Sequence, residues 1–373
     1  MWALAGLVAG AVLGLGPGSA AADCATGQSL SDCTLSGFSA LLSPSRCPST
    51  SAGQPAATTA AVRLQELIEE IPCPESGRVS FATADDLGNP MGVLDVVADP
   101  AGGYLGVYHT TFGSTRNALD YRISLAHSRD LIHWHRVAVL DPVGASMPTL
   151  RAVPGAGYVL AYEKAGSARA GHVIRLRYYA TEGDLVIGRF AAQRDLPLRF
   201  SQYNNGTPSI LSIRWAGSLR RSAIQLGFHY ETDRRGTPGP DREALGTLRG
   251  FRRWGASPDR DTDLALDQQG LGGSHGDWRQ FTFAAARWRL YEAQARFNDF
   301  SSWQVVLNGA GRDSMHRLTL KHEGTTVSSS FGNPVAQELA APQGNGRVLV
   351  VTMYLFSASV PGQAGELVYY QPL

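Results

Sequence analysis

An all-β protein, a five-bladed β-propeller behind a short cysteine-bearing extension with one helix, is what this sequence predicts. Three observations predict it. The 373 residues include 42 Gly and 20 Pro, more than a helical bundle tolerates and suited to many short strands joined by turns. From about Pro90 a pattern of a short strand, a turn and a strongly apolar second strand returns about every fifty to sixty residues, a period that points to propeller blades. All four cysteines fall within the first 73 residues, so whatever they staple lies ahead of the repeat. At 43% hydrophobic and 17% charged the chain can bury a sizeable core, and an irregular β-sandwich is the competing architecture.

Taken in order, residues 1–22 hold an apolar core at 3–15, then Gly16, Pro17 and Gly18, then small residues with Ala20 and Ala22 in A-x-A spacing before Asp23. This is the pattern of a secretory signal peptide, although no Lys or Arg precedes the apolar core; it implies a secreted, extracellular protein. Residues 23–77 carry Cys24, Cys33, Cys47 and Cys73, without a C-x-x-C pair or an intervening His. An exported chain favours disulfides over a metal here. Of three pairings, Cys24 with Cys33 and Cys47 with Cys73 closes the shortest loops. Residues 60–71 read as an amphipathic helix with Val62, Leu64, Leu67, Ile68 and Ile71 on one face, since those positions recur at helical spacing.

The propeller is assigned to residues 78–373. Five openings begin at Val93, Met147, Thr207, Trp278 and Asn333, and five second strands cover 104–108, 158–162, 224–229, 288–292 and 348–354. Third and fourth strands are fainter, with 122–126 and 134–139 legible in the first blade. Five four-stranded units closing on themselves leave no long exposed sheet edge.

With 33 Lys+Arg against 32 Asp+Glu the formal charge is +1, so no global positive field exists to hold a nucleic acid or an anionic membrane. The chain has no P-loop and no G-x-G-x-x-G following a strand, which removes the common nucleotide cofactors. No cofactor and no metal is called for. A monomer is expected.

At Ser128-Arg129-Asp130-Leu131-Ile132-His133-Trp134 the sequence resembles the "S-x-D-L-x-H-W" segment of five-bladed propeller glycoside hydrolases, the arabinanase, β-xylosidase, invertase and levansucrase group (glycoside hydrolase family 43-like). Asp95 ahead of Asp99-Pro100-Ala101-Gly102-Gly103-Tyr104, and Asn205-Gly206-Thr207-Pro208, are similar to further segments of that group. The resemblance spans about residues 90–373. It implies a secreted glycosidase acting on a plant or cell-wall polysaccharide, with furanosides of the arabinan type leading and inversion at the anomeric carbon. The Trp134 segment itself reads as packing within the first blade.

In each blade the start of the innermost strand and the end of the second share one rim, because the two are antiparallel. That rim collects Asp95, His109, Ser146, Glu163, Asn205, His229, Asp277, Glu292, Asn333 and Tyr354. Glycoside cleavage needs one carboxylic acid to protonate the leaving oxygen and one carboxylate to assist from the opposite face, with their pKa values held apart. Asp95, Glu163, Asp277 and Glu292 are the candidate catalytic residues. The resemblance gives Asp95 the base position. It also exposes a departure: where related enzymes carry the acid Glu before "G-P", this chain has Asn205. Either the acid has moved to Glu163 or Glu292, or the protein binds sugar without cleaving it, or the turn is aligned differently. His109, Asn205, His229, Trp278 and Asn333 are the candidate substrate-binding residues, Trp278 as a ring facing a sugar beside the Gly-rich turn that precedes Asp277. His109, His229 and His275 carry no spacing that forces a zinc site.

Overall fold

A computed structural model describes residues 59–112, 118–166, 171–200, 202–309 and 315–373. Alternating apolar positions pair into five four-stranded antiparallel sheets and one small hairpin. The first blade runs Gly92–Ala98, Tyr104–Thr111, Tyr121–Ser128, His135–Asp141, and the second Ala145–Ala152, Tyr158–Ala165, His172–Tyr179, Ala192–Asp195. The third runs Asn205–Arg214, Ala223–Asp233, Pro238–Arg249, Arg253–Pro258, and the fourth His275–Phe283, Ala286–Gln294, Trp303–Asn308, Met315–Arg317. The fifth takes Phe331–Ala340, Arg347–Leu355 and Gly365–Pro372, and its outermost strand, Val79–Ser80, comes from the other end of the chain. Val79 pairs with Tyr369 and Ser80 with Val368. This closes the ring with backbone hydrogen bonds, and the innermost strands contact one another in cyclic order around the axis. All five sequence-predicted openings fall in innermost strands and all five apolar runs in second strands.

Helix α1, Ala60–Glu69, is capped by the Thr59 hydroxyl, which accepts from Val62 N. It buries Leu64 and Ile68 against Phe281, Leu349 and Tyr369, between the fourth and fifth blades. The expected helix ran on to Ile71. It stops earlier because Pro72 follows Ile71, which disfavours helical backbone there, and because Ile71 N donates to Lys321 O at 2.7 Å. That carbonyl belongs to the hairpin Leu320–His322 and Thr325–Ser328. Two further helices, α2 (Glu182–Val186) and α3 (Arg260–Gln268), were not anticipated; α3 lengthens the link between the third and fourth blades.

The Trp134 segment packs the first blade as read. Trp134 is buried, its ring fills the space left by Gly106, and its Nε1 donates to Leu131 O at 3.1 Å. Asp130 accepts the Ile132 and His133 amides and so fixes the turn. Residues 1–58, with the signal-peptide expectation and Cys24, Cys33 and Cys47, lie outside the described residues, and so does the proposed disulfide pairing.

Candidate functional site

Every innermost strand opens on a break in register, between Gly92 and Asp95, Ser146 and Thr149, Gly206 and Ser209, His275 and Trp278, Gly332 and Val335. Each break is a β-bulge that turns backbone N–H groups away from their own sheet and towards the neighbouring blade. Its second residue is left-handed at Val93 (φ 56°), Met147 (50°), Thr207 (37°) and Asn333 (49°), a conformation that costs a side-chain-bearing residue about 1–3 kcal/mol and collects at working sites. Small residues precede it because a side chain from the second strand occupies the space. A Cβ on Gly92 would stand 2.6 Å from His109 Nε2, and one on Gly206 2.4 Å from both Glu163 Oε1 and His229 Nε2. One on Gly332 would stand 2.6 Å from the Glu292 carboxyl, which also crowds Gly276. By this correspondence Asp277 takes in the fourth blade the place of Val93, Met147, Thr207 and Asn333.

Those freed N–H groups staple four of the five blade junctions. Glu366 accepts Val93 N and Leu94 N, each at 2.9 Å, between the fifth and first blades. His109 Nδ1 accepts Met147 N at 3.3 Å between the first and second. Glu163 Oε1 accepts Thr207 N at 2.7 Å between the second and third, while its Oε2 accepts the Ser146 hydroxyl at 3.0 Å. Glu292 accepts Asn333 N between the fourth and fifth. At the junction of the third and fourth blades no such staple is present among the described residues. There the two carboxyl oxygens of Asp277 and the two of Glu243 have no hydrogen-bond partner although both groups are buried. Arg279 Nη1 stands 2.9 Å from Asp277 Oδ1 as an ion pair and donates to Pro208 O. Glu243 lies in register with His229, as Glu366 does with Tyr354, so the two glutamates are counterparts, one engaged and the other not. The buried Asn205 amide is likewise unpartnered at both its oxygen and its nitrogen.

Burial sets the protonation of this rim. It pushes Glu292 up to about 8, with Asp277 adding to the rise and the Asn333 amide opposing it. It pushes Asp277 up to about 7 against the pull of Arg279, with Asp95 and Glu163 raising it further. Glu243 is held well above its usual range by burial and then by Asp263, Asp259 and Asp277. Desolvation is the common cause, since a charge leaving water loses more than these partly paired sites return. The same burial lowers His109 to about 4, so its ring is neutral near pH 7.

The four sequence-predicted carboxylates therefore feel one another, but they do not stand alike. Glu163 and Glu292 lie two residues before the ends of their strands, at the rim. Asp95 is fully buried one pair further down, opposite Val107. Its oxygens accept Leu150 N at 2.9 Å and Arg151 Nη1 at 2.9 and 3.2 Å. Fully buried below the rim and bridging the first blade to the second, Asp95 does not stand where its reading as the base placed it. Trp278 is a second correction. Its ring is buried over Gly227, stacked on Tyr291 at 5.6 Å and covered by the Arg289 guanidinium, so it wedges two blades together and offers no face to a sugar. Among the candidate binding residues, His109, Asn205, His229 and Asn333 remain at the rim. The three histidines do not converge: His109 serves Met147 N, His229 Nδ1 meets the Thr207 hydroxyl at 2.6 Å, and His275 sits between Asp263 and Leu271 O.

The sequence reading missed Glu243 and Glu366, and the half-buried Asp241, whose carboxyl burial also raises. Gly272-x-Ser274-x-Gly276 has the spacing of a hydrolase nucleophile elbow. Ser274, however, is buried where the chain enters an innermost strand, and its hydroxyl accepts Asp241 N at 3.2 Å, so the elbow geometry is absent.

No family model matches the chain, and no curated protein matches it. Among solved structures it is similar to a thermostable family-43 glycoside hydrolase (11% identity, 79% of this chain and 93% of that one, TM-score 0.47). It is also similar to an α-L-arabinanase from Penicillium chrysogenum complexed with arabinobiose (12% identity, 79% and 98%, TM-score 0.45). A third is an endo-arabinase from Bacteroides thetaiotaomicron (12% identity, 79% and 97%, TM-score 0.46). At these identities and scores none of them bears on the reaction.

Proposed function

We propose that this protein is a glycoside hydrolase whose site is the acidic rim, with Glu292 as proton donor, Glu163 as the carboxylate that activates water, and Asp277 between them. The observation that carries the reading is Glu292, a carboxyl buried near the end of a rim strand, where desolvation pushes its pKa up to about 8. It is thus a carboxylic acid at neutral pH, which is what protonating a departing glycosidic oxygen requires. Asp277 supports it by like-charge repulsion. Glu163 differs in environment, since an amide N–H and a hydroxyl both donate to it. Two carboxyl groups with unlike surroundings on one rim make an acid/base pair. The resemblance of the 128–134 and 205–208 segments favours an arabinan-type furanoside cleaved with inversion, while the 1–22 pattern and the four cysteines favour a secreted enzyme whose leader carries two disulfides.

A second reading is favoured by Asn205. An amide stands where the resembling enzymes carry their acid, and its unpartnered N and O suit a sugar hydroxyl, so a carbohydrate-binding propeller without turnover is the alternative. Release of reducing sugar from a panel of arabinans and other cell-wall polysaccharides separates the two. Turnover that Glu292→Gln abolishes supports the hydrolase; binding without release by the wild type supports the alternative.

A further inference from the structure

The second and third strands of the third blade carry one continuous face turned towards the fourth blade. At the rim it presents His229 in register with Glu243, then Gly227 with Leu245, then Gln225 with Thr247, and finally Ala223 with Arg249. Trp278 closes the middle over Gly227. Beyond Trp278 this face of the third blade opens into a groove of about 240 Å3 lined by Ser212, Arg214, Ala223, Gln225, Thr247 and Arg249. Arg214, Ala223, Arg249 and Arg253 form a single cross-strand row, so three guanidinium groups leave one side of the sheet at the spacing of its strands, about 5 Å apart or twice that. Arg287 joins from the fourth blade, on the face that Trp278 and Arg289 share by the two-residue period of the strands. All four arginines are exposed, and none is ion-paired among the described residues. Arginines without acidic partners are a local field that the net charge of +1 conceals.

We propose that this groove at the far end of the third and fourth blades is a docking site for an acidic polysaccharide, a polyuronate in chemical class. Guanidinium groups take carboxylates through paired N–H donors, and Ser212, Gln225 and Thr247 between them supply the hydroxyl and amide groups that sugar hydroxyls need. A single-stranded nucleic acid fits less well, because no aromatic side chain lines the groove to stack a base. A bilayer surface fits less well, because the groove's lining holds no large apolar side chain to enter it. The proposal does not rest on the hydrolase reading, since the groove lies at the opposite end of the propeller from the acidic rim.

The test is affinity electrophoresis of the full chain through gels containing polygalacturonate, neutral arabinan, or no polymer, with oligonucleotide and phosphatidylglycerol vesicles as competitors. Retardation by polygalacturonate is expected, weakening with salt and falling at least tenfold in the double variant Arg214→Glu/Arg249→Glu, while the melting temperature and any turnover of neutral glycan stay as in wild type. If charge reversal disturbs folding, Arg214→Gln/Arg249→Gln answers the same question through a smaller, same-direction loss. No retardation, retardation that both variants keep, or equal displacement by oligonucleotide or vesicles would overturn the proposal.

Discussion

The two ends of the junction between the third and fourth blades share the strand Pro238–Arg249, which carries Glu243 and Arg249, and differ in almost every physical respect. At the rim, Glu243 and Asp277 are buried, without a hydrogen-bond partner among the described residues, and pushed towards the neutral acid, Asp277 against its ion pair with Arg279. At the far end, Arg214, Arg249 and Arg253 are exposed and, among the described residues, not ion-paired. Trp278 stands between them over Gly227. The comparison teaches that burial decides what a charge can do. A desolvated carboxyl holds its proton and becomes an acid, whereas a solvated guanidinium keeps its charge and attracts at a distance. The rim is thus suited to proton transfer and the groove to capture.

The strongest way to break this contrast is to remove its divider. Trp278→Ala should cost about 3–5 kcal/mol, as large aromatic truncations in a core do, read as a lowered melting temperature. A loss of sugar binding without loss of stability would instead return Trp278 to the role of a sugar platform. Gly206→Ala comes next. It drives a Cβ into Glu163 and His229, so a destabilisation of about 1–3 kcal/mol is expected, with turnover falling further than stability explains; unchanged kinetics would show that the rim tolerates displacement of Glu163.

Stability against pH sharpens the contrast. Glu292 and Glu366 are raised to about 8 from 4.5, and Asp277 to about 7 from 3.8. The folded state then binds more protons than the unfolded chain between the two sets of values, so what these groups contribute to stability is full below about pH 4 and is lost as pH rises towards 8. Chemical denaturation across pH 4–9 checks this, and a flat or rising profile contradicts it. The smallest effect belongs to the groove: Arg214→Glu should alter stability by no more than about 0.5 kcal/mol, measured by the same denaturation.

Much of the fold was legible because each blade repeats the same local decision, a bulge-forming turn with Pro148, Pro208 or Pro334, followed by an apolar strand. The closure by Val79–Ser80 was not, since two residues carry no period. At the rim, Glu163, Glu292 and Asp277 could be placed by counting to strand ends. Asp95 could not, because the bulge at Val93 and Leu94 inserts a residue and sets Asp95 below the rim. Glu243 and Glu366 left no local signal at all: they stand on third strands at blade junctions, and only the register with His229 and Tyr354 reveals them as counterparts.

The central claim is that Glu292 gives a proton at the acidic rim. Its most direct measurement is NMR of the products formed from an arabino-oligosaccharide by wild type and by Glu292→Gln, whose amide keeps an acceptor for Asn333 N but has no acid proton to give. The expected result is release by the wild type with the inverted anomer formed first, and a rate lowered about 10²–10⁴-fold in the variant at an unchanged melting temperature. Undiminished release by the variant, or first formation of the retained anomer, would contradict the account.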